Sequence, residues 1–106
     1  MNPASQRGHS LASMKVTWQC ARVGSGFTGE EDGRLVFVDG TLAAILVCRP
    51  KDCEDPELRG SWFVEAGFGP ITGVQETFPS FEDAVAWILR RFKSWEYLMR
   101  RSSALH

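Results

Sequence analysis

The chain has 106 residues, of which 43% are hydrophobic and 24% are charged, and its twelve basic and thirteen acidic residues give a net charge of −1. This length and composition are those of one globular domain and exclude a fibrous or disordered chain. The balanced charge excludes a general attraction to nucleic acid or to an anionic membrane surface.

The cysteine content favours a reducing compartment. Cys20, Cys48 and Cys53 are odd in number and too sparse for a disulfide-stapled secreted domain. The N-terminus lacks the apolar run of a signal peptide, and the longest apolar stretch, residues 42–48, is too short to span a bilayer. We therefore expect a soluble, cytoplasmic protein that does not associate with membranes.

The first thirteen residues are small or polar and show no apolar periodicity. We predict a disordered tail over residues 1–13, a single domain over 14–101 and a frayed C-terminus over 102–106. A folded unit that begins at Met14 also suggests the hypothesis that translation starts there.

Alternating apolar and polar residues predict a half-buried strand over 15–23, followed by a flexible acidic loop over 24–33. The next segment is a hairpin sequence, with strands over 35–38 and 41–47 joined by Asp-Gly at positions 39–40. Asp-Gly suits a two-residue type I′ turn, which also sets the register of the two strands.

This register divides the hairpin side chains between two faces. Phe37 is expected opposite Leu42 and Leu35 opposite Ala44, so their face, which continues through Leu46 and Cys48, is predicted to lie in the core. The opposite face then carries Val36, Val38, Ala43, Ile45 and Val47. We expect sheet curvature, loops or another molecule to cover it.

A charged loop over 49–60, a fourth strand over 61–66 and a short fifth strand over 74–77 complete the predicted sheet. Ser80 is a helix N-cap, and apolar residues recur after it in steps of four and three, at Phe81, Val85, Ile88, Phe92, Trp95 and Met99. The prediction is a two-layer α+β fold, in which an antiparallel meander of four to five strands carries one C-terminal α-helix packed on one face.

The residue types argue against catalysis. The two histidines, His9 and His106, lie near the chain ends, where neither is held as a general base or as the partner of a nucleophile. The loop carboxylates are interpreted as solvated charges, and the glycine-rich segment 24–29 lacks the lysine and the helix of a phosphate-binding loop. We predict no enzyme, no catalytic residues and no cofactor, and we identify no small-molecule substrate.

The thiols are the one candidate metal site. Cys48 and Cys53 are close in sequence and Cys20 is a possible third ligand, but a closed zinc site needs four ligands and no histidine is placed to complete it. We interpret Cys20 and Cys48 as small buried hydrophobes and Cys53 as an exposed thiol, and we predict no metal site. Coordination by three thiols and a carboxylate, or a regulatory disulfide between Cys48 and Cys53, stays open as an alternative.

The charge is unevenly distributed, since residues 84–106 contain five bases and one acid. On a helical wheel, one side of the C-terminal helix carries the bases and an aromatic ring, namely Arg90, Lys93, Tyr97, Arg100 and Arg101. Such a stripe is able to bind a phosphate backbone. The alternative function is therefore a nucleic-acid-associated module. A solvated helix face is the interpretation we favour.

Trp87 lies at the flank of the apolar stripe beside Arg90 and Arg91. It is interpreted either as a hot spot for binding a partner or as an ordinary residue at the core margin, where the core meets the surface. The function we predict is a non-enzymatic protein-interaction module, which binds a protein partner or self-associates as a homodimer. Its predicted surface is the second sheet face with the Trp87 flank, comprising Val36, Val38, Ala43, Ile45, Val47 and Trp87.

Overall fold

The computed structural model describes residues 10–11, 14–25, 29–50 and 55–104. Its antiparallel sheet contains, in chain order, β1 (Ser10–Leu11), β2 (Met14–Ser25), β3 (Gly29–Val38), β4 (Thr41–Cys48), β5 (Trp62–Gly67) and β6 (Thr77–Phe78). Each strand pairs with its neighbours in sequence, and 3₁₀ turns at Pro56–Leu58 and Gly69–Ile71 flank β5. One helix, α1 (Phe81–Ala104), packs against this meander, which confirms the predicted two-layer α+β fold.

The turn between β3 and β4 has the predicted conformation. Asp39 and Gly40 have φ of 52° and 82°, as a type I′ turn requires at its two central positions. The Asp39 carboxylate also accepts a hydrogen bond of 2.9 Å from the backbone N–H of Lys15 on β2. The turn therefore joins three strands rather than two.

The predicted register is correct only near this turn. Phe37 pairs with Leu42, but Val36 pairs with Ala44, because a β-bulge at Ala43 places one extra residue in β4. The backbone carbonyl of Ala43 accepts a hydrogen bond of 2.9 Å from the N–H of Phe68, which follows β5. Since a shift of one residue exchanges the two faces of a strand, the predicted core assignment is correct for Ala44 and Leu46 on β4. It is wrong for β3, where Val36 and Val38 lie in the core in place of Leu35 and Phe37.

The predicted acidic loop is largely β-structure. β2 and β3 stay paired from Val16 opposite Val38 to Ser25 opposite Gly29, so they form a long ribbon. Residues 26–28, between the two strands in sequence, lie outside the described residues. Glycine and acidic residues are usually depleted in strands, but here continuous pairing overrides that preference. An ion pair of 3.6 Å between the exposed side chains of Arg22 and Asp32 crosses the ribbon.

The core lies between α1 and one face of the sheet. Val16, Val36, Ala44 and Leu46 on the strands are buried in the same cluster as Phe81, Val85, Ile88 and Leu89 on the helix. Ser80 caps α1 as predicted, since its hydroxyl accepts a hydrogen bond of 3.0 Å from the N–H of Asp83. The sheet face carrying Val36 and Val38 is thus the face that the helix covers.

Of the segments outside 14–101, the structure describes residues 10–11 and 102–104. Ser10 and Leu11 pair with Lys15 and Met14, and α1 continues through Ala104. Residues 1–9, 12–13 and 105–106, which include both histidines, lie outside the described residues, as do 51–54, which include Cys53. The tail, the frayed C-terminus and the domain limits stay predictions.

Candidate functional site

The five sheet residues predicted to share the second face do not lie on one face of the sheet. Val36, Val38, Ala43 and Val47 are buried and Ile45 is half-buried. The bulge is the reason, because it places Val36 and Val38 toward α1 while Ile45 and Val47 point to the other side. These residues therefore do not share one surface that a partner is able to reach.

The sheet face opposite α1 is nevertheless apolar. Alternation along the paired strands assigns Leu35, Phe37, Ile45 and Phe63 to it, all of them half-buried. Arg49 covers part of this face, with its guanidinium carbon 4.5 Å from the centre of the Phe63 ring. Within the described residues, α1 packs on the other face of the sheet, and this face carries side chains that differ from those the sequence predicted.

Trp87 is half-buried and packs against the core cluster. Its ring lies 5.5 Å from the ring of Phe78 on the edge strand β6, and the guanidinium carbon of Arg91 lies 5.0 Å from its centre. Arg91 in turn donates a hydrogen bond of 3.3 Å to the carbonyl of Pro70. Of the two interpretations of Trp87, this packing favours the core margin.

The apolar surface that is most exposed lies on the second half of α1. Trp95, Leu98 and Met99 are 45%, 59% and 48% exposed, whereas Ile88 is fully buried. The prediction that the whole apolar stripe packs on the sheet is therefore wrong for its last positions. The helix has 24 residues and is about 36 Å long, so it extends beyond the part of the sheet that it covers.

This projecting half, residues 92–101 of α1, begins where Phe92 lies half-buried near Gly69. Pro70 and Ser94 together with Trp95 and Leu98 line a shallow depression of about 260 Å³ at its base. The depression joins the 3₁₀ turn at Gly69–Ile71 to the exposed apolar side chains. The projecting half thus offers both an apolar ridge and a recess beside it.

The basic side of α1 faces away from the sheet. Arg90, Lys93 and Arg100 are exposed, and Tyr97 is 59% exposed. Arg100 forms an ion pair of 3.3 Å with Glu96 one turn earlier, and the side chain of Arg101 lies outside what the structure describes. The residues assigned to the nucleic-acid alternative that are described are therefore accessible, though one of the bases already has an acidic neighbour.

Cys20 and Cys48 line one cleft beside Arg34. Their interpretation as buried hydrophobes is wrong, because Cys20 is exposed on β2 and Cys48 is half-buried at the end of β4. Within residues 10–11, 14–25, 29–50 and 55–104, no three side chains of the types that bind metals come together. The alternatives that involve Cys53 fall outside those ranges.

Two further results bear on the class of protein. None of the helices among the described residues is long and apolar enough to cross a membrane. Comparisons with protein-family models, with curated proteins and with solved structures found no match to this chain.

Proposed function

We propose that this protein is a non-enzymatic interaction module that binds a protein partner through the projecting half of α1. The observation that carries the proposal is the exposure of Trp95, Leu98 and Met99 on a helix whose preceding turns are buried. Large exposed apolar side chains grouped in this way are typical of interaction sites. The proposal keeps the cytoplasmic location expected from the cysteine content.

The spacing of the apolar residues on the projecting half indicates the kind of partner. Phe92, Trp95 and Met99 are spaced by three and four residues, with Leu98 on one flank of this seam and Glu96 on the other. An apolar seam with this spacing is typical of pairing with another helix.

The charges beside the seam select among helical partners. Residues 84–106 carry a net charge of +4, and the seam is flanked by Arg91 on one side and on the other by Glu96, which is paired with Arg100. Two copies of this basic region repel each other, which disfavours a homodimer through the projecting half. The partner we propose is therefore an amphipathic helix with an apolar seam and flanking acidic residues.

Trp95 is expected to contribute most to binding. Its ring is 45% exposed in the free chain, so a partner helix that covers it removes about 90 Å² of apolar surface from water. At about 25 cal/mol per Å² this amounts to about 2 kcal/mol, or about a 30-fold change in affinity. Trp95→Ala is expected to weaken binding by that factor while leaving the fold intact.

The test uses synthetic helical peptides as defined partners. One peptide has leucine at its a and d positions and glutamate at e and g; a second has lysine at e and g. Titration calorimetry on the full chain is expected to detect the acidic peptide only, with weaker binding at higher salt. Tyr97→Ala is the matched control, because Tyr97 is an exposed aromatic residue on the opposite side of the same helix.

Other outcomes would replace the proposal. Equal binding of both peptides, or an affinity that Trp95→Ala leaves unchanged, contradicts it. A concentration-dependent dimer in sedimentation experiments that Trp95→Ala abolishes would assign the surface to a second copy. Binding to duplex or single-stranded nucleic acid that weakens in Arg90→Ala and Tyr97→Ala but not in Trp95→Ala would establish the alternative function.

A further inference from the structure

A second feature of the molecule lies at the opposite end of the core, beside the start of α1. A cleft of about 420 Å³ opens there between β2, β3 and the ends of β4 and β5. Its walls are formed by Cys20, Ala21, Cys48 and Trp62, together with Gly33 and the charged side chains of Arg22, Asp32 and Arg34. The volume is within the range of small-molecule sites, and most of the wall is apolar, as is usual for such sites.

Arg34 is the residue that distinguishes this cleft from an ordinary surface groove. Its guanidinium carbon lies 4.2 Å from the centre of the Phe81 ring and 4.9 Å from that of Trp62. The two rings are themselves in edge contact, with centres 5.3 Å apart. Because Arg34 is half-buried and its guanidinium contacts both of these packed rings, the guanidinium is held in position before any ligand arrives.

The hydrogen-bonding capacity of Arg34 is not used by the described part of the chain. A guanidinium has five N–H donors, and within residues 10–11, 14–25, 29–50 and 55–104 those of Arg34 have no acceptor and no carboxylate partner. The other two charges of the cleft, Arg22 and Asp32, form an ion pair with each other at 3.6 Å. Among the described residues, Arg34 is therefore the one charge of the cleft without a counter-ion.

We propose that this cleft binds a small, largely apolar molecule that carries a single carboxylate. The planar fork of the Arg34 guanidinium matches a carboxylate through two parallel N–H···O hydrogen bonds. The single unbalanced charge selects a monoanion over a polyphosphate, and the Trp62 ring and the two thiols contact the apolar part of the ligand. This site is separate from the projecting half of α1 and does not depend on the function proposed for it.

The experiment compares three naphthalene probes of nearly equal size and different charge: naphthalene-2-carboxylate, 2-naphthylmethanol and 2-naphthylmethylamine. Titration calorimetry on the full chain is expected to show binding of the carboxylate and at least tenfold weaker binding of the alcohol and the amine. Arg34→Met keeps the apolar stem of the side chain, removes the charge and is expected to weaken carboxylate binding by about tenfold to 100-fold. Arg90→Met, at an exposed position on α1, is the matched control and is expected to bind as the parent does.

A second variant keeps the test decisive if Arg34→Met fails to fold. Cys20→Phe fills the cleft from an exposed position and leaves Arg34 in place, so it is expected to abolish binding while circular dichroism stays unchanged. The proposal is overturned if the parent binds none of the three probes at millimolar concentration. It is also overturned if the amine binds as tightly as the carboxylate, or if folded Arg34→Met or Cys20→Phe protein binds the carboxylate as tightly as the parent.

Discussion

The division of α1 into a packed and a projecting half makes a quantitative prediction about stability. Ile88 and Met99 belong to the same apolar stripe, but Ile88 is fully buried whereas Met99 is 48% exposed. Ile88→Ala removes three buried carbon atoms and leaves a cavity, which costs about 3 kcal/mol. Met99→Ala removes a largely hydrated side chain and is expected to change the stability by less than about 0.5 kcal/mol.

Urea denaturation followed by circular dichroism at 222 nm measures both variants. A loss of about 3 kcal/mol is a large fraction of the 5–15 kcal/mol by which domains are stable, and for a domain of this size it lowers the melting temperature by roughly 15 °C. Equal losses for the two variants would refute the division of the helix. Repeating the measurement at two protein concentrations then shows whether Met99 is covered by its own chain or by a second copy.

Three other substitutions test how the fold is held together. Asp39→Ala is expected to cost about 1–2 kcal/mol in urea denaturation, because alanine disfavours positive φ and lacks the acceptor for the Lys15 N–H, whereas Asp39→Asn retains most of the stability. Gly67→Ala is expected to abolish the native thermal transition or lower it strongly, since the new Cβ overlaps the backbone carbonyl of Ile71. Ser80→Ala is expected to lower stability by about 1 kcal/mol through loss of the helix cap, and a change below the error of the urea measurement would contradict that role.

The hairpin illustrates how far local sequence determines this fold. Asp-Gly between two apolar segments was sufficient to predict the turn type and the pairing next to it. The bulge at Ala43 was not predictable in the same way, because Leu42, Ala43 and Ala44 are all apolar and give no alternation that marks one face. The Ala43 carbonyl is bonded to the N–H of Phe68, so the bulge depends on a contact with a segment distant in sequence.

The sequence does not indicate the aromatic cluster around Arg34 for a related reason. Alternation from Val36 and Val38 places Arg34 on the face opposite the predicted core, whereas in the structure it lies on the face beside α1, in contact with the Phe81 and Trp62 rings. An error of one residue in register therefore moved a charged side chain from one side of the sheet to the other. The cation–π contacts join β3, β5 and α1. The spacing of residues along any one of these elements therefore does not predict them.

Periodicity in α1 identified the correct face of the helix but not what lies against it. The steps of three and four residues continue unchanged from Phe81 to Met99, although the sheet covers only the first part. The position two turns after Leu89 is occupied by the charged residue Glu96, and this difference is the signal in the sequence that the surroundings of the helix change. Packing within the chain therefore stabilises α1 through its first half, although the apolar seam continues beyond it. The second half of the seam contributes its burial free energy only when another helix covers it. We therefore expect substitution of Ile88 to lower the stability of the fold, and substitution of Trp95 to lower the affinity for a partner.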